Sequence, residues 1–254
     1  MGVFGSVAVI SDIHGNLPAL DSVLSEPLVA NADALVVAGD HASGPQPTEV
    51  LDRLRSLGDR AFLVAGNADR EMVNIARGRD VPIPDEVTAW AASRLSSEHV
   101  TMLEVLPHPL VVNIAGFGQV LCCHGSPRRI DDVVLVDSGL QRWQEVFQNV
   151  DPNIKTVVCG HTHMPFVRLA SGRLVINPGS VGMPYGRKDP SWAILSQRKV
   201  TLGSTGVDSD DVARRISESS RFPGVNHWIR DYVLGRPSDV DVIDAFGPMD
   251  GRST

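Results

Sequence analysis

The sequence predicts an α/β fold with a parallel sheet that is covered on both sides. Three runs, SVAVISD, ADALVVAGD and RAFLVAGN, have the continuous apolar character of buried strands. Two segments with apolar residues at helical spacing, HGNLPALDSVLSEPL and PTEVLDRLRSLG, connect these runs. Continuous apolar strands joined by helical crossovers are typical of a parallel sheet that is buried on both sides.

Each of the two connecting segments has one apolar face. Pro18 lies near the predicted start of the first helix, and Gly58 marks the end of the second. The two faces consist of Leu17, Leu20, Val23 and Leu24, and of Val50, Leu51, Leu54 and Leu57. The N-terminal part of the chain is therefore predicted to run strand, helix, strand, helix, strand.

The later part of the chain predicts further helices and two hairpins. Residues 70–108 are expected to be mainly helical and to form a cap-like segment. Two hairpins are predicted, at HPLVVNIAGFGQVLCCHG and at PFVRLASGRLVINPGS. A helix with Ser138 as its N-cap is predicted at DSGLQRWQEVFQNV. We expect one domain over residues 1–205. The C-terminal segment, residues 206–254, is expected to be a partly mobile surface appendage with a short helix at 210–219.

Composition excludes several classes of function. The chain has 254 residues and a net charge of −7, which argues against binding nucleic acid through a basic surface. No apolar run approaches the roughly 20 residues that cross a bilayer, and MGVFGSVAVISD lacks the features of a signal peptide. The three cysteines, Cys122, Cys123 and Cys159, provide no even disulfide framework. We therefore expect a cytoplasmic protein without a membrane partner.

Polar side chains follow the apolar runs at the points where the predicted strands end. These residues are Asp12, Asp40, Asn67, His124 and His161. Ligands of α/β proteins bind beyond the carboxyl ends of the strands. Because residues i and i+2 of an extended chain point the same way, His14 is expected to converge with Asp12, and His163 with His161.

These side chains are typical of a site for two metal ions. Two aspartates, one asparagine and four histidines are too polar to be buried together without partners. Nitrogen and oxygen ligands in this mixture suit divalent Mn, Fe, Co, Ni or Zn. Seven ligands are too many for one tetrahedral ion and suit two ions about 3.5–4 Å apart that share a carboxylate. The alternative for Asp12 and Asp40 is a role as helix caps, since each precedes a turn.

Five sequence blocks, taken in order, resemble the signature of the calcineurin-like metallophosphoesterases. The blocks are SDIHGNLPAL, VVAGD, VAGNAD, CCHGS and CGHTH. The small bacterial and archaeal phosphodiesterase branch is the most similar, since it also has a block like INPGSVG at residues 176–182. The resemblance covers residues 6 to about 200. It implies a four-layer αββα sandwich of two mixed β-sheets flanked by helices. It also implies hydrolysis of a phosphate ester by a hydroxide that bridges two divalent ions.

The resemblance further implies which residues hold each ion. The first ion would be held by Asp12, His14, Asp40 and His163, and the second by Asp40, Asn67, His124 and His161. Asp40 would bridge the two ions, so Asp40 and Asn67 are catalytic candidates as well as ligands. Mn²⁺ is the expected ion, with Fe, Ni, Co or Zn as alternatives.

One position departs from the pattern of the family. Many members have a histidine after the asparagine that assists the leaving oxygen, whereas this chain has Ala68. The loss indicates a substrate with a good leaving group, or an acid from elsewhere, for which His41 is a catalytic candidate. Asp69 is expected to brace a ligand histidine from behind.

Four further residues are candidates for supporting roles. Arg128 and Arg187 follow the histidine and NPGS loops and are candidates for binding substrate phosphate, with solvated charge as the alternative. Asn177 and Ser180 are expected to shape the loop beneath the metal site.

The sequence leaves three functions open. The preferred one is a phosphodiesterase acting on a small-molecule or nucleotide phosphate ester. The second is a phosphomonoesterase, either a protein phosphatase or a dinucleoside-polyphosphate hydrolase, because the same metal core serves each. The third is a non-catalytic protein-binding scaffold, which the complete ligand set disfavours. A symmetric homodimer is expected from base rates alone.

Overall fold

Two β-sheets lie face to face in the computed structural model, which describes residues 2–82, 85–235 and 237–252. The strands, in chain order, are β1 (Val3–Phe4), β2 (Ser6–Ile10), β3 (Ala34–Val37), β4 (Ala61–Leu63), β5 (Leu110–Ile114), β6 (Gly118–Cys122), β7 (Thr156–Val158), β8 (Phe166–Ala170), β9 (Arg173–Asn177), β10 (Ser191–Ser196) and β11 (Lys199–Ser204).

Both sheets mix parallel and antiparallel strands. The sheet that contains the N-terminal strands, here called sheet I, has the order β11-β10-β2-β3-β4. Its strands β2, β3 and β4 are parallel, as predicted, and β10 pairs antiparallel with β2. The other sheet, sheet II, has the order β1-β5-β6-β7-β9-β8. The predicted hairpins β5–β6 and β8–β9 are confirmed, and β6, β7 and β9 run parallel.

Helices cover the outer faces of both sheets. They are α1 (Leu17–Ser25), α2 (Pro27–Ala30), α3 (Pro47–Arg55), α4 (Asn67–Ala76), α5 (Glu86–Arg94), α6 (Ser97–Glu104), α7 (Leu140–Val146), α8 (Ser209–Ser219), α9 (Val225–Ile229) and α10 (Asp239–Phe246). A π-helical turn, Arg230–Leu234, continues α9. Within the described ranges, none of the helices has the length and apolar character that a bilayer crossing requires.

Alternate residues of the buried strands face different layers. In β2, Val7 and Val9 pack between the two sheets, whereas Ala8 and Ile10 pack in the cluster that includes α1 and α3. On the outer face of sheet II, Trp143 of α7 lies in a third cluster. The four layers are therefore helix, sheet I, sheet II and helix, as the family resemblance implies.

The parallel strands β2 and β3 are buried on both faces, as predicted, and the two faces are covered by different layers. Sheet II, not a helical layer, covers the inner face of sheet I. A continuous apolar run shows that both faces of a strand are buried, but it does not show whether a helix or a second sheet buries them.

Local side chains cap some of the helix starts. Asn16 caps α1 by accepting a hydrogen bond from the Ala19 amide at 3.1 Å. The prediction that Ser138 caps α7 was wrong, because Gly139 occupies the cap position. The Ser138 hydroxyl instead donates to Asp250 Oδ2 at 2.6 Å. A tertiary partner distant in sequence has replaced the local one.

The C-terminal segment packs against the domain. Val212 and Ile216 of α8 share a hydrophobic cluster with Trp228, and Trp90 and Met183 of the preceding domain pack against this cluster. The predicted helix at residues 210–219 is confirmed. The boundary at residue 205, the cap-like role of residues 70–108 and the partial mobility of the C-terminal segment stay predictions.

Candidate metal centre

The predicted ligands converge where the strands of both sheets end. Two groups each place three ligand atoms within 4.8 Å of one another. One group is Asp12, His14 and His163, and the other is Asp40, His124 and His161. Asn67 joins the second group, since its Oδ1 lies 3.0 Å from His124 Nε2. The fold therefore brings together all seven side chains that the sequence singled out.

Asp40 lies between the two groups. Its Oδ2 is 3.3 Å from His124 Nε2 and 3.8 Å from His14 Nε2. Its other oxygen, Oδ1, accepts a hydrogen bond from the Ala68 amide at 2.9 Å, which fixes the carboxylate in place. Asp40 thus has one oxygen for the protein and one directed at both clusters of imidazoles.

Three histidines are oriented by carbonyl groups behind them. The Nδ1 atoms of His14, His124 and His163 lie 3.3, 2.7 and 3.0 Å from the carbonyl oxygens of residues 43, 38 and 183. A carbonyl can only accept, so each Nδ1 carries a proton, and the Nε2 atom of each ring presents a lone pair when the ring is neutral. This is the tautomer that a metal-binding histidine requires.

The centre contains a buried carboxylate oxygen and imidazole nitrogens that would be stabilised by a bound cation. Asp12 Oδ1 is buried and has no hydrogen-bond partner among the described residues. It lies 3.4 Å from His163 Nε2 and 3.9 Å from both His14 Nε2 and His124 Nε2. The Nε2 atoms of His14 and His163 are only 3.1 Å apart. Lone pairs that face each other beside an unsatisfied carboxylate oxygen fit a divalent ion, because each would donate to it.

The backbone at the centre is strained. Five of the predicted ligands have left-handed φ values: Asp12 at 56°, His14 at 47°, Asp40 at 53°, His161 at 69° and His163 at 56°. Such a conformation costs of the order of 1 kcal/mol or more for each non-glycine residue, and it persists only where surrounding structure enforces it. The concentration of strain at these positions indicates that the surrounding structure holds the five side chains in a locally unfavourable conformation that directs them at one point.

Backbone hydrogen bonds between loops enforce this conformation. The amides of Asp12 and His14 donate to the carbonyls of Gly39 and Asp40, both at 3.0 Å. The Gly160 amide donates to the carbonyl of His124 at 2.8 Å, which joins the two histidine loops of sheet II. The loops of both sheets therefore form one rigid framework.

Asp69 braces the loop of Asp40, but through a different histidine from those expected. Its carboxylate accepts hydrogen bonds from the amides of Asp40 and His41, both at 3.0 Å, and from Gly66 at 2.8 Å. It also lies 2.7 Å from His41 Nδ1. The histidine that Asp69 contacts is thus His41, which is outside the predicted ligand set.

The position of His41 does not suit an acid for the leaving oxygen. Its side chain is fully enclosed, with 0% exposure, and is held by Asp69. A ring without exposed surface has no contact with a molecule bound in an open cleft. His41 shares Asp69 with the Asp40 amide, and its role as an acid stays a prediction that this enclosure does not favour.

Asn177 and Ser180 contact the loops that carry the ligands. The Asn177 amide donates to the Gly160 carbonyl at 2.8 Å and so supports the loop of His161. The Ser180 hydroxyl donates to the Asp12 carbonyl at 2.7 Å. These contacts agree with the expected role of both residues in shaping the loop.

Neither arginine that was expected to bind phosphate lines the cleft beside the ligands, within the described part of the chain. Arg128 is paired with Asp132 at 3.1 Å and with Glu145 at 2.7 Å, and it lines a separate depression. Arg187 is exposed on the surface. Their role in substrate binding stays a prediction that this geometry does not favour.

Two aromatic contacts at the centre had no signal in the sequence. The ring of Tyr185 stacks on His163, with centroids 5.1 Å apart. Phe246 of the C-terminal segment packs edge-on against His161, with centroids 6.0 Å apart. These contacts restrict the orientation of the two imidazoles.

A cleft of about 540 Å³ borders His14, Asp40 and Asn67. Four carboxylates that the sequence analysis missed also line it: Glu71, Asp85, Glu86 and Asp231. Three rings of the C-terminal segment complete the lining: Phe222, Trp228 and Tyr232. The aromatic residues of VNHWIRDYVLG were the only available signal, and their role became visible only from their packing.

Residues 6–199 match the profile of the calcineurin-like phosphoesterase superfamily domain. The chain belongs to the calcineurin-like phosphoesterase superfamily. It is therefore a phosphoric ester hydrolase, and the imidazoles and carboxylates described above are its candidate metal-binding groups. The fold and family expected from the sequence blocks are confirmed.

Two relatives show the degree of sequence similarity to this phosphoesterase. An uncharacterized protein of Methanocaldococcus jannaschii is 26% identical over 229 residues, which cover 80% of this chain and 88% of the relative. The phosphodiesterase YfcE of Escherichia coli is 25% identical over 194 residues, which cover 73% and 84% of the two chains.

One solved structure extends the similarity beyond the family domain. The metallophosphoesterase of Sphaerobacter thermophilus superposes with a TM-score of 0.70 at 26% identity, covering 91% of this chain and 99% of the other. Because 91% of this chain exceeds residues 6–199, the match includes residues outside that domain.

In the metal-free phosphoesterase, neighbouring groups shift two histidines in opposite directions. Burial lowers the pKa of His161 to about 4. Burial also acts to lower the pKa of His124, but the adjacent Asp40 carboxylate outweighs it and raises that pKa to about 10. Without bound metal, His124 is therefore protonated at neutral pH, and its positive charge offsets part of the negative charge of Asp40.

Mn²⁺ binding to the metal-free protein at pH 8 is expected to release about one proton from His124, because only the neutral ring is a ligand. Calorimetry in two buffers of different ionisation enthalpy measures the number of protons released.

The raised pKa of His124 also predicts how the stability of the metal-free protein depends on pH. The stabilisation is fully present below the unfolded pKa of 6.5, and it is lost as the pH rises through about 10. The melting temperature of the metal-free protein should therefore fall between pH 7 and 10. An unchanged melting temperature together with no proton release would contradict the assignment.

Proposed function

We propose that this phosphoesterase is a two-metal phosphodiesterase whose ions are held by the seven side chains at the strand ends. Asp12, His14, Asp40 and His163 would hold one ion, and Asp40, Asn67, His124 and His161 the other. The position of Asp40 Oδ2, within 4 Å of an imidazole from each group, carries this proposal. Two divalent ions there would acidify a water molecule and neutralise charge on the phosphoryl oxygens.

The protein itself contributes orientation and charge. The Asp40 carboxylate supplies the negative charge that both groups of imidazoles share, and the Ala68 amide holds it in place. Asn67 and Ala68 begin α4, so the partly positive N-terminus of this helix lies at the centre. A phosphoryl group placed there is favoured by the partial positive charge of the helix N-terminus.

Two observations support a diester over a monoester. Ala68 supplies no proton to a leaving oxygen, and His41 is enclosed, so a good leaving group is favoured. The cleft also carries the four carboxylates Glu71, Asp85, Glu86 and Asp231. A diester carries one negative charge and a monoester close to two at neutral pH, so these carboxylates repel the monoester more strongly.

Mn²⁺ is the proposed ion and the cytoplasm the proposed location. Mixed imidazole, carboxylate and amide ligands suit Mn²⁺, with Fe, Ni, Co or Zn as alternatives. The thiols of Cys122, Cys123 and Cys159 are free and buried, and burial raises the pKa of each. Unpaired thiols are typical of a reducing compartment. The proposed substrate is a small-molecule or nucleotide diester, and a homodimer remains the proposed assembly.

The test compares bis(p-nitrophenyl) phosphate with p-nitrophenyl phosphate in the presence of Mn²⁺. We expect kcat/KM to favour the diester by about tenfold or more, since one unit of charge near several carboxylates changes the free energy by about 1 kcal/mol or more. Chelation should abolish turnover, and added Mn²⁺ should restore it. A preference for the monoester would support the phosphomonoesterase alternative. A metal content near zero without turnover of either ester would support the scaffold.

A further inference from the structure

The cleft beside the predicted ligands is built in large part by residues outside the family domain. Phe222, Trp228, Asp231 and Tyr232 come from the C-terminal segment, whereas the family profile ends at residue 199. At about 540 Å³ the cleft has the size of a small-molecule site. A diester whose phosphorus lies at the metal centre would place one of its two alcohol groups, here called its arm, in this cleft.

The described lining of the cleft has more carboxylates than basic side chains, and only part of this negative charge is paired within the protein. Asp231 is paired with His227 at 3.1 Å and Arg230 at 3.0 Å, and Asp85 accepts hydrogen bonds from Thr88. Glu71 and Glu86 have no ion pair in the described ranges, and no described lysine or arginine lines the cleft. Burial, followed by Asp85 and Asp40, raises the pKa of Glu71. A cation bound in the cleft would reduce the repulsion between Glu71 and the neighbouring carboxylates Asp85 and Asp40.

Aromatic side chains accompany these carboxylates. The rings of Trp228 and Tyr232 lie 5.5 Å apart in the cleft wall. Trp228 is only 3% exposed, yet its indole N–H has no acceptor among the described residues. A buried donor without a partner is costly, so this position of Trp228 is maintained by the packing around it. Aromatic rings together with carboxylates are the groups that recognise alkylammonium ions.

We propose that the cleft binds a positively charged arm, so that the substrate is a phosphodiester in which one alcohol carries an ammonium or quaternary ammonium group. A polyphosphate arm would meet the carboxylates with like charge. A neutral arm such as a nucleoside would leave Glu71 and Glu86 without a counter-charge. The inference rests on the proposed diesterase activity and adds the chemical class of the arm.

Two chromogenic diesters that differ in one atom isolate the charge. p-Nitrophenyl phosphorylcholine carries a quaternary nitrogen, and p-nitrophenyl 3,3-dimethylbutyl phosphate has carbon at the same position. In both, water oxygen forms a new bond to phosphorus and the bond to p-nitrophenolate breaks, so the arm stays on the product. We expect kcat/KM for the choline ester to be about fivefold higher or more, mainly through KM, as for a cation among aromatic rings and carboxylates.

Variants test whether the named carboxylates cause the preference. Glu71→Gln and Glu86→Gln should each reduce the ratio of the two kcat/KM values by about twofold to threefold, and added salt should reduce it in the wild type. Glu49→Gln is the matched control, because Glu49 is exposed on α3 and does not line the cleft. Glu86 is itself exposed, so its variant tests the inference even if Glu71→Gln fails to fold.

The outcomes separate this inference from the proposed function. Equal kcat/KM for both esters in the wild type, with bis(p-nitrophenyl) phosphate hydrolysed normally, would overturn the cationic arm and leave the diesterase intact. A preference that survives both glutamine variants would also overturn it. Failure of all three diesters with metal bound would instead overturn the diesterase.

Discussion

Asp40→Asn is expected to reduce turnover of bis(p-nitrophenyl) phosphate by about 1,000-fold or more, because bound metal contributes several kcal/mol to transition-state stabilisation. Asp40 Oδ2 lies 3.3 Å from His124 Nε2 and 3.8 Å from His14 Nε2, so a neutral amide there weakens both halves of the centre. The substitution preserves the shape of the side chain. The amide oxygen can still accept from the Ala68 amide, as Oδ1 of Asp40 does at 2.9 Å.

Kinetics and elemental analysis together test this expectation. We expect the metal content of Asp40→Asn to fall below that of the wild type while its far-ultraviolet circular dichroism stays the same. Asp59→Asn is the control, since Asp59 is exposed in the turn before β4 and far along the chain from the ligands. If Asp40→Asn retains two ions and loses less than about tenfold in kcat, Asp40 does not bridge the centre.

Gly66→Ala is expected to weaken metal binding by about 10- to 100-fold, as for the loss of a group that orients a ligand. A Cβ at this position would overlap Asp40 Oδ1 and the Asp40 amide. The φ of Gly66 is −101°, which any residue adopts, so the effect comes from the space that a side chain needs and not from backbone strain. Either Asp40 or the start of α4 must move, and both carry predicted ligands.

Overpacking at a rigid site also lowers stability, here by about 1–3 kcal/mol. Thermal unfolding with and without Mn²⁺ measures both effects, because the stabilisation by metal should be smaller in the variant. Gly206→Ala is the matched control, since nothing lies within 4 Å of a Cβ there. Wild-type metal affinity in Gly66→Ala would show that the Asp40 loop is not held in the tight arrangement described.

The sequence could identify the metal centre because the relevant signals are local. An apolar run predicts a buried strand, and the polar residue that follows it marks the end of that strand. Asp12, Asp40, Asn67, His124 and His161 each occupy such a position, and all lie in the same region of the structure. Since parallel strands end at one edge of a sheet, this pattern and the family blocks together predicted the juxtaposition.

Supporting contacts between distant residues were not accessible in the same way. Asp69 was expected to brace a ligand histidine and contacts His41, because the left-handed turn at Asp40 determines which ring faces it. Ser138 was expected to cap a helix and instead bonds to Asp250, 112 residues further along the chain. A side chain with a strong local preference changes partners when a buried carboxylate lies nearby.

The sequence by itself determined the strand order of the N-terminal half, the family and the set of candidate ligands, since each depends on residues close together in the chain. Only the tertiary structure decided that His41 is enclosed and that the C-terminal segment forms a wall of the cleft. Packing among residues far apart in sequence determines these features. Trp228 and Ile216 were expected in a surface appendage, and the structure buries them in one hydrophobic cluster against which Trp90 packs.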